Sequence, residues 1–391
     1  MSYHILYEST PWHTRCALFD ENGRLLTLRF DDATRRHIEG AVAYGRVRQV
    51  VPSLGAAFVD IGDTYDALLP LSTLPPHTKL TQGQPVLARI SRGGFAEKGA
   101  RLDARTAHKP AAAGTPCPSL LQNPPSALTR VLHDAGAHPV TVWLLNAHHR
   151  EAIAQQVPER AIRQMDLDGE DSFPGHEPLT DRLDNTLDAM LSERPTFPFA
   201  TGNASGNLII ELTSAVATVD VNAGPSAGLD KDNATLTVNL AAAEEVARLC
   251  RLLDLGGSVI VDFITPRSKS QRDLIAQHLS STFTTTDEHF VENRPMSRHG
   301  LLELTRERSG PSLTLLLKTP AYVAGRIGLE LWRTPAGANP KLRHQTVIAH
   351  PHVIHVLHQQ LNQTMCLTHL GRPVQLQADG ALPITTYQIN G

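Results

Sequence analysis

The sequence has little of what marks a membrane, secreted or strongly basic protein. No uninterrupted apolar run is long enough to cross a bilayer, and the start, "MSYHILYESTPWHTRCALF", has no basic region leading into a secretory core. Export and membrane insertion are therefore disfavoured. Cysteine is scarce: Cys16, Cys117, Cys250 and Cys366 are scattered and form no close metal-ligand pair. A reduced cytoplasmic compartment is expected, with the thiols acting as packing residues. No charge excess is present either, since a net charge of -3 and a pI near 6.7 give no global footprint for nucleic acid. Any such binding must be local. What the chain does have is length, 391 residues, which exceeds the range of one core and predicts two or three domains. Its 27 Pro and 27 Gly predict many turns.

The first pattern is a hairpin, "HTRCALFD" and "RLLTLRFD" around the turn signal "ENG". Short strands follow at regular intervals: "AVAYGRVRQVV", "GAAFVDIG", "DALLPL", "PVLARISRG" and "ARLDA". That spacing is the signature of a small barrel over residues 37–108. If the barrel is of OB type, Phe58, Tyr44 and Tyr65 are candidates to stack on bases, with Lys98 and Arg101 to hold phosphate. By pattern alone, Phe58 inside "AAFVDI" reads first as a core residue. The run carrying Arg89, Arg92, Lys98, Arg101, Arg105 and Lys109 faces only Glu97 and Asp103, and a solvated face explains it as readily as a binding patch. Between 106 and 126 the composition turns to Ala, Pro, Ser and Gly, which predicts a linker or surface loop. A helix over 126–135, a strand "VTVWLLN", and helices at "HREAIAQQV" and "DRLDNTLDAMLSE" are expected next, without a sharp chemical signal.

From residue 206 the pattern sharpens. "GNLIIEL" and "AVATVDV" read as a hairpin, with Asp220 and Asn222 on one face of its second strand. Leu240, Ala243, Ala247, Cys250 and Leu253 recur at helical spacing, and Gly256-Gly257 ends that helix. It leads into the buried-strand run "SVIVDFI", which carries Asp262. A strand, crossover helix and strand bring the two carboxylates toward one sheet edge. There they repel unless one takes a proton or a cation neutralises both, and Mg²⁺ suits hard oxygen ligands. The other reading has Asp220 and Asp262 capping turns or pairing with arginines. Downstream, "SRHGLLELTRERSG" carries Arg298, His299, Arg306 and Arg308. If this stretch is helical, Arg306 lies one turn from Leu302 and can present charge to phosphate, while Glu303 and Glu307 also permit ordinary ion pairs. Arg267, Lys269 and Arg272, just beyond Asp262, are placed to line an RNA path, and a solvated helix face explains them equally well. His344, His350, His352, His355, His358 and His369 match no compact metal spacing and read as surface or packing residues. Residues 313–391 predict a small α/β domain with one main helix near 351–362.

Taken in order, the blocks "YGRVRQVVPSLGAAFVDIGDTYDALLPL", "FAEKGARL", "TVDVNAG", "VNLAAAEEVARLCRLLDLGGSVIVDFI" and "SRHGLLELTRERSGPSL" resemble the ribonuclease E and ribonuclease G family over about two thirds of the chain. The resemblance implies an α+β and α/β multidomain protein. An RNase-H-like portion, begun by residues 1–36, is interrupted by an OB-fold RNA-binding domain at 37–108 and resumes, diverged, within 109–205. A deoxyribonuclease-I-like catalytic domain at 206–312 and the C-terminal domain at 313–391 follow. It further implies an endoribonuclease that cuts single-stranded RNA, ribosomal or messenger, to leave 5′-phosphate and 3′-hydroxyl ends. By motif position Asp220 and Asp262 are the Mg²⁺ ligands, with Mn²⁺ an acceptable substitute, and Asn222 is the third catalytic residue. The chain departs from the family at Thr265, where an Asp is common, and at Asp66 and Leu68, which replace His and Phe in the barrel. No counterpart of the Arg-Thr sensor of 5′-monophosphate is found. The zinc-binding Cys-x-x-Cys is missing after "ELTRERSGPSL", so no structural zinc and no zinc-linked tetramer are expected, but a monomer or homodimer away from membranes. An RNA-binding protein of this fold with weak or no nuclease activity is the alternative, and a metabolic phosphoesterase a third class.

Overall fold

The computed structural model describes residues 2–32, 36–95, 97–105, 112, 114–145, 149–164, 178–213, 215–225, 231–333, 344–361, 364 and 366–390. The chain opens with three antiparallel strands, β1 (Tyr3–Ser9), β2 (His13–Phe19) and β3 (Leu25–Asp32). The β2–β3 hairpin is the expected one: Asp20 accepts the Asn22 and Arg24 amides at 2.9 and 2.8 Å, and Gly23 takes the positive φ of +72° that the turn requires. β1 was not anticipated. Ile5 and Leu6, adjacent in sequence and so on opposite faces, are both fully buried, and a strand covered on both sides shows no alternation.

The barrel follows as β4 (Val42–Val51), β5 (Ala56–Asp60), β6 (Ala67–Pro70), β7 (Pro85–Arg92) and β8 (Arg101–Asp103). Neighbours pair in the order β5-β6-β8-β7-β4, and β4 pairs back to β5, so five strands close an OB-like barrel. β6 and β8 run parallel; the other pairs are antiparallel. Ala43, Ala57, Ala67 and Ala88 leave room inside for Val47, Val59, Leu69, Ile90 and Leu102. β9 (Ser119–Gln122) lies along β4. The stretch expected as a linker thus contains a strand, although 106–111 and 113 of it, with Lys109, lie outside the described residues.

Next come α1 (Ala127–Ala135), capped by Ser126 Oγ, then β10 (Val140–Leu144), α2 (Arg150–Ala154), β11 (Ile162–Gln164) and α3 (Leu179–Leu191). β10 joins β1 in parallel and β11 joins β10, completing a five-stranded sheet ordered β11-β10-β1-β2-β3. A second, six-stranded sheet is built from β12 (Thr196–Thr201), β13 (Ala204–Leu212), β14 (Val216–Ala223), α4 (Lys231–Leu252), β15 (Gly257–Asp262), α5 (Lys269–Thr286), β16 (Phe290–Asn293) and β17 (Leu301–Arg306). Its order is β12-β13-β14-β15-β17-β16, and β14 and β15 are parallel, with α4 as their crossover. The segment considered as a helix around Arg306 is strand β17, because its buried positions Leu302, Leu304 and Arg306 recur every second residue.

The last part holds α6 (Leu313–Leu317), α7 (Pro320–Arg333), β18 (Gln345–Ala349), α8 (Pro351–Gln360), β19 (Val374–Ala378) and β20 (Tyr387–Asn390), with the sheet order β19-β18-β20. Among the described residues it has three α-helices, two of them long (α7 and α8), where one main helix was expected. "RIGLELWR" belongs to α7, whose Ile327 and Leu331 pack beside Val353, Ile354 and Leu357 of α8.

These elements form two compact units. One comprises Met1–Thr34, Ser126–Pro195 and Leu313–Gly391; the other comprises Arg35–Pro125 and Thr196–Ser312. Inside the first, the buried Glu8 and Arg15 pair with each other and with Asp184 of α3 and Arg333 of α7. Four charges, two of each sign, meet at this point, so each guanidinium removed from water has carboxylates to replace its hydration. The second unit contains both the barrel and the six-stranded sheet, and with them every candidate site residue.

Candidate active site

Strand alternation fixes which side chains share the open face of the six-stranded sheet. On β14, Ala217, Val219 and Val221 are buried, which turns Thr218, Asp220 and Asn222 to the other side; on β15, Val259 and Val261 do the same for Asp262. β14 and β15 are in register with Asp220 directly opposite Asp262. Asp220 is half-buried and Asp262 exposed. Asn222 Nδ2 donates to Asp220 Oδ2 at 2.9 Å, which orients the amide beside that carboxylate. Among the described residues, neither Asp220 nor Asp262 has an ion-pair partner. The arginine pairing that the cation-free reading requires is thus not found among the described residues.

Two unpaired carboxylates at one register position offer hard oxygen donors for a divalent cation. Among the described residues no group of three or more His, Cys, Asp or Glu side chains comes together as a metal cage. Mg²⁺ does not need one, because it commonly takes one or two carboxylates and fills the remaining positions with water and substrate phosphate. The donor set fits that ion.

The backbone just beyond Asp262 is fastened on two sides. Phe263 N–H donates to Gly300 O at 3.1 Å, and Thr265 Oγ1 donates to His299 O at 3.2 Å. From α4, Asn239 Nδ2 donates to Ile264 O at 2.8 Å while its Oδ1 accepts Ile264 N–H at 3.1 Å. Gly300 has φ +97°, and a Cβ there would overlap the Phe263 carbonyl.

The cationic and aromatic candidates divide. Phe58 is only half-buried and does not belong to the barrel core; it stands opposite Leu68, which stands opposite Arg101, so the three form one row on the barrel's outer face. Tyr44 is half-buried beside Leu87 and Ser119, and Tyr65 is 43% exposed in the loop before β6. Lys98 and Arg101 are exposed, as are Arg298 and Arg308. Arg306 is a correction: only 3% exposed, it is engaged by Asp254 and Asp287 at 2.6 Å each and cannot reach a ligand on the surface. The two carboxylates outweigh the cost of its burial and raise its already high pKa. Arg105 of the basic run is likewise held by Asp103, at 2.7 Å.

One grouping was not anticipated. The guanidinium of Arg92, the ammonium of Lys98 and the guanidinium of Arg308 lie 5.3, 5.9 and 5.7 Å from the centre of the Phe95 ring. Burial, then Arg101 and Arg308, lowers the Arg92 pKa, as expected where cations crowd together. The phenylalanine lies within "FAEKGARL", but nothing in the spacing says that Arg308, some two hundred residues later, reaches the same ring. Among the described residues, the histidines of the last segment form no metal-binding group: His350 caps α8 and lies against the His352 ring, and His355 meets Gln359, while the side chain of His369 lies outside the described residues.

These features describe a mixed α/β protein in which an OB-like barrel and a two-carboxylate sheet edge share one compact unit. The chain belongs to the ribonuclease E/G family, whose sequence model matches residues 101–309, more than half of its length. It is 26% identical over 411 residues to ribonuclease G of Salmonella typhimurium (strain SL1344), an alignment covering 81% of this chain and 82% of that protein. It is 25% identical over 403 residues to ribonuclease G of Escherichia coli (strain K12), with the same coverage. A ribonuclease E/G-like chloroplastic protein of Arabidopsis thaliana is 36% identical over 158 residues, which is 38% of this chain but only 15% of that protein. No helix among the described residues is long and apolar enough to cross a membrane.

Proposed function

We propose that this chain is a Mg²⁺-dependent endoribonuclease that hydrolyses phosphodiester bonds of single-stranded RNA, leaving 5′-phosphate and 3′-hydroxyl ends, in RNA processing or decay. The observation that carries the reading is the pairing of Asp220 with Asp262 across β14 and β15, with Asn222 bonded to Asp220. Asp220 and Asp262 would hold the ion, and Mn²⁺ would substitute. Bound Mg²⁺ supplies a Lewis acid that stabilises charge on phosphate and makes a water more acidic. Asn222, with one Nδ2–H given to Asp220, keeps Oδ1 free to accept a hydrogen bond from the attacking water and would so orient it. Phe58 and Arg101, in their outer-face row, would hold a base and the backbone, and Lys98 and Arg308 would neutralise phosphate.

The finer architecture belongs to the same reading. Three antiparallel strands extended by two parallel ones support an RNase-H-like sheet into which the barrel is inserted, and the six-stranded sheet supports a deoxyribonuclease-I-like domain. We take the protein to be a cytoplasmic monomer or homodimer, without a zinc link and with no 5′-monophosphate sensor.

The test is cleavage of matched 5′-hydroxyl and 5′-monophosphate RNA oligonucleotides by wild type and Asp262→Asn, with and without Mg²⁺. Mg²⁺-dependent cleavage lost in the variant, at equal wild-type rates for the two ends, is expected. Equal cleavage by both proteins would remove the mechanism. A second reading, RNA binding without turnover, is favoured by Leu68: the residue between Phe58 and Arg101 carries no ring, which lowers stacking capacity on the surface that would feed the site. Mg²⁺-independent RNA affinity with no product would establish it.

A further inference from the structure

We infer that Asn239 is a positioning residue for the metal-binding carboxylate Asp262, acting through the backbone of Ile264; this rests on the reading of Asp220 and Asp262 as a divalent-cation site.

Asn239 lies on α4, the crossover helix between the two aspartate strands, and is fully buried. A buried amide in a helix interior costs stability unless it is bonded, and helix-forming alternatives such as Ala or Leu would pack there without that cost. Both ends of its amide bond one residue: Nδ2 donates to Ile264 O at 2.8 Å and Oδ1 accepts Ile264 N–H at 3.1 Å. Ile264 comes two residues after Asp262, at the point where β15 has ended and the ladder no longer sets the path of the chain. On the opposite side the segment is tied through Phe263 N–H to Gly300 O and Thr265 Oγ1 to His299 O, both from the turn before β17. With both peptides of Ile264 held from the helix and Phe263 N–H held from that turn, the backbone that follows Asp262 is fastened from two sides, and with it the direction from which Asp262 would share an ion with Asp220.

Asp262 itself is exposed and unpaired among the described residues, so no side-chain partner fixes its carboxylate. Its position depends on its backbone. Partners that orient a metal ligand at one remove typically change metal affinity by about 10–100-fold when lost.

The experiment measures Mn²⁺ binding in the absence of RNA, from the electron paramagnetic resonance signal of the free ion. Wild type is compared with Asn239→Ala, Asn239→Asp, Asp262→Asn and Leu279→Ala. Leu279 is buried on α5, on neither the helix nor the strand that the clamp joins, and controls for general loss of stability. Asn239→Asp preserves size and the acceptor for Ile264 N–H but loses the donor for Ile264 O, so it serves if the alanine variant does not fold. Affinity reduced roughly tenfold by the Asn239 substitutions, unchanged by Leu279→Ala, and with single-stranded RNA affinity in EDTA at the wild-type level, is the expected result. Wild-type Mn²⁺ affinity in a folded Asn239 variant, while Asp262→Asn loses the ion, overturns the positioning role and leaves the metal site standing. No effect of Asp262→Asn overturns the metal site and the inference with it.

Discussion

Asp220 and Asp262 face each other across adjacent parallel strands at one register position, and neither carboxylate has an arginine or lysine partner among the described residues. Replacing either by Asn is expected to abolish Mg²⁺-dependent RNA cleavage while thermal stability is preserved or rises slightly, since one of two neighbouring negative charges is removed. Cleavage assays paired with calorimetry check both halves. A large fall in melting temperature would mean that the pair has a structural role instead.

Arg306 and Arg308, two residues apart, are expected to separate cleanly. Arg306→Ala leaves the buried Asp287 and the half-buried Asp254 without their cation and should cost about 3–5 kcal/mol in denaturant unfolding. Arg308→Ala should leave stability nearly unchanged, weaken RNA binding and lower the slope of log affinity against log salt by about 1.

Phe58→Ala is expected to weaken single-stranded RNA binding by about 1–3 kcal/mol, because the ring lies outside the barrel core and on the row that carries Arg101. Fluorescence titration with a short oligonucleotide measures it. An unaltered affinity together with reduced stability would return Phe58 to a packing role.

Asp184 sets an acid limit on the first unit. Burial alone would push its carboxyl up, but Arg15 and Arg333 outweigh burial and hold it below the usual range. A depressed folded-state value stabilises above the unfolded value of ~3.9 and is lost as pH falls through the folded one. Wild type is therefore expected to be more stable than Asp184→Asn at neutral pH, with the difference shrinking only below about pH 4. Chemical denaturation at a series of pH values shows where the two curves converge.

How much of this was legible beforehand depends on whether a residue's role is local. The barrel strands and the β14-α4-β15 crossover were readable because alternation, turn residues and helical spacing all act within a few positions. β1 escaped because Ile5 and Leu6 are buried on opposite faces, which removes the alternation. Arg306 looked like a surface cation, because its period-two burial with Leu302 and Leu304 competes with a helical reading and its acids lie 19 and 52 positions away. Asn239 sits beside the predicted apolar stripe of α4 and gave no signal at all. Its partner is a backbone, and a backbone leaves no trace in residue identity.

The ion pair of Glu8 with Arg333 spans 325 positions. During synthesis at about 5–20 residues per second, Glu8 emerges roughly 16–65 s before the helix that carries Arg333. The strand made first is thus among the last to gain its full set of partners. Over that interval the inserted unit, whose segments are all made earlier, has time to complete itself.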